Sequence, residues 1–166
     1  QVFAALSQRM VRTFRTVRSV CTALVIVTMF GSMLLTNDTA LLTFLPLSWF
    51  VLQATGQEKH AAMLFILQNC AANLCGMITP FGNPQNLYLF SFFNIPIGTF
   101  IAIMLPPFLL STALILLCCL TFPKEALCVP EAVVTLEPRR AAAYGLLFCL
   151  AVAMVLRAVP YQTGLL

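Results

Sequence analysis

Thr36-Asn37-Asp38-Thr39 and Gly82-Asn83-Pro84-Gln85-Asn86 are two clusters of oxygen- and nitrogen-bearing side chains set inside apolar sequence. Amide oxygens, loop carbonyls and a carboxylate are ligands for hard cations such as Na+, and Asn37, Asp38, Asn83 and Asn86 supply them. The same breaks expose helix ends. Helices beginning near Ala40 and near Gln85 would each turn backbone N–H groups toward an anion. Asp38, the sole aspartate, can also hold a proton, because burial disfavours the ionised carboxyl. Taken singly, the first cluster is also an ordinary helix cap and the second an ordinary turn. Their joint occurrence in apolar surroundings favours a solute site.

Those surroundings define the class. The chain is 61% hydrophobic and 8% charged, with no Lys, Arg, Asp or Glu between Lys59 and Lys124. A soluble domain carries about 25% charge, so an all-α integral membrane protein is expected, with the lipid bilayer as a partner and no nucleic-acid partner. An ionisable group at membrane depth costs about 2.5–3.5 kcal/mol on insertion scales, which gives Asp38 a functional or pairing role. Irregular backbone at that depth is tolerated only against protein or a watery cavity. No metalloenzyme is indicated: none of the seven cysteines forms a Cys-x-x-Cys pair, and His60 is the only histidine. An intramembrane aspartyl protease would need a second aspartate. No enzyme activity and no cofactor are expected, apart from Na+ or H+ as a coupling ion.

The elements that position the two clusters follow from periodicity and breakers. Residues 1–19 alternate apolar positions with Arg9, Arg12, Arg15 and Arg18, as in a basic surface helix or the trailing end of a membrane helix. Segments 20–35 and 40–52 are uncharged and about 24 and 20 Å long as helices. Both are short for a core of ~30 Å, so a re-entrant helical hairpin over 20–52 is expected, with its tip at Thr36–Thr39. Pro46 also argues against a plain span. Segment 61–93 reads as a discontinuous transmembrane helix, interrupted at Pro80, Gly82 and Pro84, with Gln68, Asn69, Asn73 and Gly76 forming a protein-facing stripe. A span over 97–120, kinked near Pro106-Pro107, precedes a polar linker over 123–140 and the start of another span over 141–166. Arg9, Arg12, Arg15, Arg18, Lys59, Lys124, Arg139 and Arg140 fall on one side in this layout, which makes that side and the linker cytoplasmic. The Gln1 start and the stop beyond a hydrophobic span suggest an excerpt of a longer, multi-pass protein of the cell membrane.

Leu35 to Leu47, Asn69 to Leu74 and the run Met77-Ile78-Thr79-Pro80-Phe81-Gly82-Asn83-Pro84-Gln85-Asn86-Leu87-Tyr88-Leu89-Phe90 closely resemble the citrate-transporter-like permeases of the ion transporter superfamily. The resemblance covers most of residues 1–122. It implies two inverted repeats, each with a re-entrant hairpin and a broken helix, of which 1–122 would be the first transport segment and 141–166 the start of the second. It also implies secondary active transport of small anions, di- or tricarboxylates such as citrate, by an elevator motion coupled to Na+ or H+, in a homodimer. Ion and substrate contacts would fall on Thr36, Asn37, Asp38, Thr39, Gly82, Asn83, Pro84, Gln85 and Asn86. Dicarboxylate carriers of this type have Ser-Asn-Thr at the hairpin tip; the acidic Asp38 is closer to arsenite-efflux-like relatives. Metalloid-anion efflux, a Na+/H+ antiporter-like activity and a non-transporting membrane subunit are the alternatives.

Overall fold

The structure is a computed structural model and describes residues 16–127. The expected surface helix before Thr16, the linker beyond Leu127 and the last span lie outside the described residues. Among the described residues the regular structure is helical, apart from one isolated bridge between Thr16 and Ala126. The helices are α1 (Val17–Leu34), α2 (Asn37–Ala54), α3 (Ala61–Cys70), α4 (Pro84–Phe92) and α5 (Ile97–Cys119). A short 3-10 turn, Glu58–His60, precedes α3, and a widened π turn, Ala71–Cys75, follows it.

Hydroxyl caps set the first two helices. Thr16 accepts from Ser19 N at the start of α1, and Thr36 accepts from Thr39 N at the start of α2. Only Leu35 and Thr36 separate the two helices. The expected tip is therefore divided: Thr36 is the cap, and Asn37, Asp38 and Thr39 form the first turn of α2, which begins before Ala40. Each arm has 18 residues, about 27 Å of helix. Arm length, the feature from which re-entrance was expected, thus no longer separates a hairpin from two spans. By length and composition α1 and α5 can cross a membrane. Pro46 is accommodated inside α2, and Pro106 and Pro107 inside a continuous α5.

The core forms around α1, which buries Val17, Val20, Cys21, Leu24, Val25, Thr28, Met29 and Ser32 at helical spacing. Leu47, Val51 and Leu52 of α2, Leu64 and Leu67 of α3, and Ile115 and Cys119 of α5 complete it. Ala71, Ala72 and Cys75 are fully buried, and such small side chains let the π turn approach α1 closely. The α5 helix keeps most of its surface exposed and is apolar all round, as suits contact with lipid.

One end of the bundle is tied by the segment after α5. Glu125 O accepts from Val17 N at 3.0 Å and Pro123 O from Arg18 N at 3.2 Å. The Arg18 Nε donates to Phe122 O at 2.8 Å, and the His60 ring meets Phe122 edge-on. Lys59 pairs with Glu125 at 3.4 Å, an exposed contact of small energetic weight. Arg18 and Lys59 therefore share an end with the segment containing Lys124, as the charge layout expects.

Within the apolar core, Gln68 Nε2 donates to Thr28 Oγ1 at 2.8 Å, and Thr28 Oγ1 donates to Leu24 O at 2.8 Å. Both side chains are fully buried. Thr28→Val would leave the Gln68 amide without its acceptor, at about 1–3 kcal/mol. Thermal unfolding of the full-length protein in detergent should show the single variant destabilised. The Thr28→Val/Gln68→Leu double variant should lie closer to wild type, since it removes both polar groups.

Candidate ion-binding site

The π turn, the loop after it and the start of α2 converge into one polar cluster. Helix α3 and its π turn end by Gly76, so their last carbonyls lack following helical N–H groups. Side chains from the loop and α4 take two of the carbonyls in this region: Asn83 Nδ2 donates to Asn73 O and Asn86 Nδ2 donates to Met77 O, each at 3.1 Å. At the end of α1, Met33 O accepts from Thr79 Oγ1 at 3.0 Å. In return the first N–H of α2, from Asn37, donates to Gly82 O at 2.9 Å. The two sequence breaks expected to form one site do meet.

Asn73 lies at the centre. Its Oδ1 accepts from Asn37 Nδ2 at 2.7 Å, and its own Nδ2 donates to Asn69 O at 2.9 Å and Asn69 Oδ1 at 3.0 Å. With their nitrogens engaged, the oxygens of two amides remain: Asn37 Oδ1 and Asn83 Oδ1 are both shielded and have no hydrogen-bond partner. A buried acceptor without a donor favours a cation or a donor group, and neutral amide oxygens suit a hard monovalent cation. Asn37 and Asn83 are thus placed as the expected ligands require, whereas Asn86 spends its amide on Met77 O.

Asp38 is placed differently. It is exposed and lines an open groove of about 460 Å³ with Leu41, Leu42, Leu45 and Pro46, separate from the hydrogen-bonded asparagine cluster. As an acidic residue in the first turn of α2, it complements the helix dipole. The start of α2 is in turn capped by Thr36 and donates one N–H to Gly82, so it is poorly disposed to receive an anion. The start of α4 has no side-chain cap, and of the two expected anion-facing helix ends it is the open one. Thr39 bonds back to Thr36 (2.9 Å between hydroxyls), Pro84 is the first residue of α4, and Gln85 follows it exposed.

The expected site omitted Asn73 and Asn69. Their four-residue spacing on one helix face was the available signal; the π turn that brings Asn73 toward both breaks has no comparable mark in the sequence. Gly82 was included as a binding residue, and its geometry adds a packing reason. A Cβ there would overlap Gly76 O and lie 3.0 Å from Ser32 O, both backbone atoms with little freedom to move.

Apolar helices of membrane length, broken around a shared polar cluster, have the make-up of membrane transporters. The chain belongs to the citrate transporter family, whose model matches residues 1–166. It is 41% identical over 85 residues to the uncharacterized transporter MJ0456 of Methanocaldococcus jannaschii, covering 51% of this chain and 24% of that one. To the inner membrane protein YbiR of Escherichia coli it is 33% identical over 126 residues, covering 75% of this chain and 33% of the relative. The chain thus spans about a quarter to a third of these relatives. No solved structure matches it. Membership of a transporter family together with the apolar helices identifies a membrane protein, and the family is one of transporters rather than enzymes.

Gly82→Ala forces Gly76 or Ser32 backbone apart and pulls Gly82 O from Asn37 N, an overpacking cost of about 1–3 kcal/mol. The variant should unfold at lower temperature in detergent. Gly98→Ala, where nothing lies within 4 Å of the added Cβ, should not.

Proposed function

We propose that residues 16–127 form half of the transport unit of a secondary active transporter, one that carries a small di- or tricarboxylate anion together with Na+. The observation that carries this reading is the pair of shielded, unpartnered oxygens, Asn37 Oδ1 and Asn83 Oδ1, contributed by two helix breaks that hydrogen-bond to each other. Cation subsites at helix breaks are a recurring construction of secondary transporters. The uncapped start of α4 supplies N–H groups on the same loop for the anion. Thr36, Asn37, Asp38, Thr39, Gly82, Asn83, Pro84, Gln85 and Asn86 remain the proposed contact set, with Asn37 and Asn83 as the cation pair. A second inverted repeat would complete the walls, and a homodimer in the cell membrane with the Arg18–Lys59 end in the cytoplasm is the proposed setting.

Re-entrance of the α1–α2 hairpin is supported by helix levels. Thr112 of α5 touches Met29 of α1, Oγ1 to Sδ at 3.9 Å. From that level α1 rises only about 7.5 Å to Leu34, whereas α5 extends back about 22 Å to Ile97. The α1–α2 connection therefore stops about 15 Å short of the far end of α5, measured along the helices. Helix α4, about 13 Å long, is held against the start of α5 by Phe90 and Phe100, with ring centroids 5.7 Å apart. In a full-length background without native cysteines, a cysteine at Asn94 should label from the side opposite to one at Gln57, and one at Thr36 should label slowly from both. Thr36 labelling as fast as Asn94 from the same side would make the arms two full spans.

A proton carried by Asp38 is the second reading, favoured by its exposed position at a membrane-depth groove. Uptake of citrate into vesicles holding the full-length protein separates the two. Asn37→Ala and Asn83→Ala should each raise the Na+ concentration needed for half-maximal uptake about tenfold, equivalent to about 1.4 kcal/mol. Asp38→Asn should leave Na+ activation in place. Wild-type Na+ activation in both asparagine variants, with ion or pH dependence lost in Asp38→Asn, moves the coupling site to the carboxylate.

A further inference from the structure

We infer that Asn73 is the positioning residue of the cation subsite: it fixes which end of two other amides faces the ion. This inference rests on the Na+ reading of Asn37 and Asn83. A carboxamide presents either an acceptor or a donor depending on a half-turn of its final torsion, and only the acceptor face can coordinate a cation. The orientation must therefore be imposed from the nitrogen side. Asn73 does this twice, with different groups: its side-chain Oδ1 accepts from Asn37 Nδ2 at 2.7 Å, and its backbone oxygen accepts from Asn83 Nδ2 at 3.1 Å. The oxygens left over on both partners are those that have no hydrogen-bond partner.

Asn73 is itself held in one orientation. Its nitrogen is committed to Asn69 through both the backbone oxygen and Oδ1, so its own oxygen is turned to Asn37. The order Asn69, Asn73, Asn37 is a directed chain of three amides, each donating nitrogen to the oxygen of another or to backbone. The π turn Ala71–Cys75 carries the central member, and such widened turns commonly occur at functional sites. Asn73 does not need to touch the ion; its effect passes through Asn37 and Asn83.

The two bonds from Asn73 differ in how a substitution affects them. Asn73→Leu, similar in size, removes the side-chain acceptor and frees the Asn37 amide while leaving the backbone bond to Asn83. Asn73→Asp keeps an acceptor for Asn37 Nδ2 but loses the donors to Asn69 and brings a charge into apolar surroundings. A residue that mattered only for packing would tolerate Leu better than Asp. A residue that positions the amide would do the reverse for ion binding.

The test uses purified full-length protein in detergent, with Na+ as the probe and choline as the control cation. The apparent Na+ affinity is read from the rise in unfolding temperature across a NaCl series at constant total chloride. Asn73→Leu should unfold in choline no earlier than Asn73→Asp, yet bind Na+ about tenfold more weakly than wild type. Asn73→Asp should retain wild-type Na+ affinity within about threefold, or exceed it; these factors correspond to about 1.4 and 0.65 kcal/mol. If wild type responds to Na+ and Asn73→Leu keeps its affinity, or if both variants lose affinity equally, the positioning role is overturned while the Asn37–Asn83 site stands. If wild type itself shows no difference between Na+ and choline, the Na+ reading fails and this inference fails with it.

Discussion

Backbone that leaves the helix inside an apolar bundle has no water to turn to, so each interrupted N–H and C=O must find a partner in the chain itself. In this protein the two interruptions supply each other. Asn37 N–H satisfies Gly82 O, and Thr79 Oγ1 satisfies Met33 O. Within the second interruption, Asn83 and Asn86 cover carbonyls at Asn73 and Met77. Neither break could be held this way alone. The close approach that these bonds demand accounts for Gly82, where a Cβ would strike backbone, and for the small residues Ala71, Ala72 and Cys75 facing α1.

The same accounting gives the cluster its chemical sign. Asparagine nitrogens are consumed by carbonyls, and oxygens are what remain, so the described half of the protein offers acceptors where its breaks meet. Its one nearby carboxylate, Asp38, is directed away into a groove walled by Leu41, Leu42, Leu45 and Pro46. A negatively charged cargo is met more favourably at the start of α4, whose first turn carries no capping side chain. Acceptors and donors thus occupy neighbouring parts of one loop, an arrangement that suits a cation and an anion held side by side.

Most of the helical architecture was legible in the sequence because lipid-compatible composition and breakers leave few choices. The absence of charge between Lys59 and Lys124, Pro84 at the start of α4, and Asn94-Ile95-Pro96 before α5 each marks a boundary that the structure keeps. The first hairpin was misread in length because Thr36 acts as a cap. A capping threonine lets helix resume at once, so Asn37 and Asp38 count toward the arm rather than the tip. Asp38 was expected beside the asparagines on sequence adjacency, but neighbouring residues on a helix are about 100° apart, and Asn37 turns inward where Asp38 turns out. The central place of Asn73 was not legible, since nothing local distinguishes a five-residue π turn from continued α-helix at Ala71–Cys75.

That turn also has a history written in its geometry. A π turn takes up one residue more than the α-helix it interrupts, so it is the local form of a single-residue insertion absorbed without breaking the helix. Removing one residue from Ala71–Cys75 would return the stretch to ordinary helix and rotate all that follows by about 100° relative to α3. Relatives that differ by one residue here would therefore carry the loop of Gly82 and Asn83 against a different face of α1, with the length of α3 scarcely altered. In lineages of this fold, a gap of one position at this turn marks a change of site architecture more surely than substitutions scattered along the outer surface of α5.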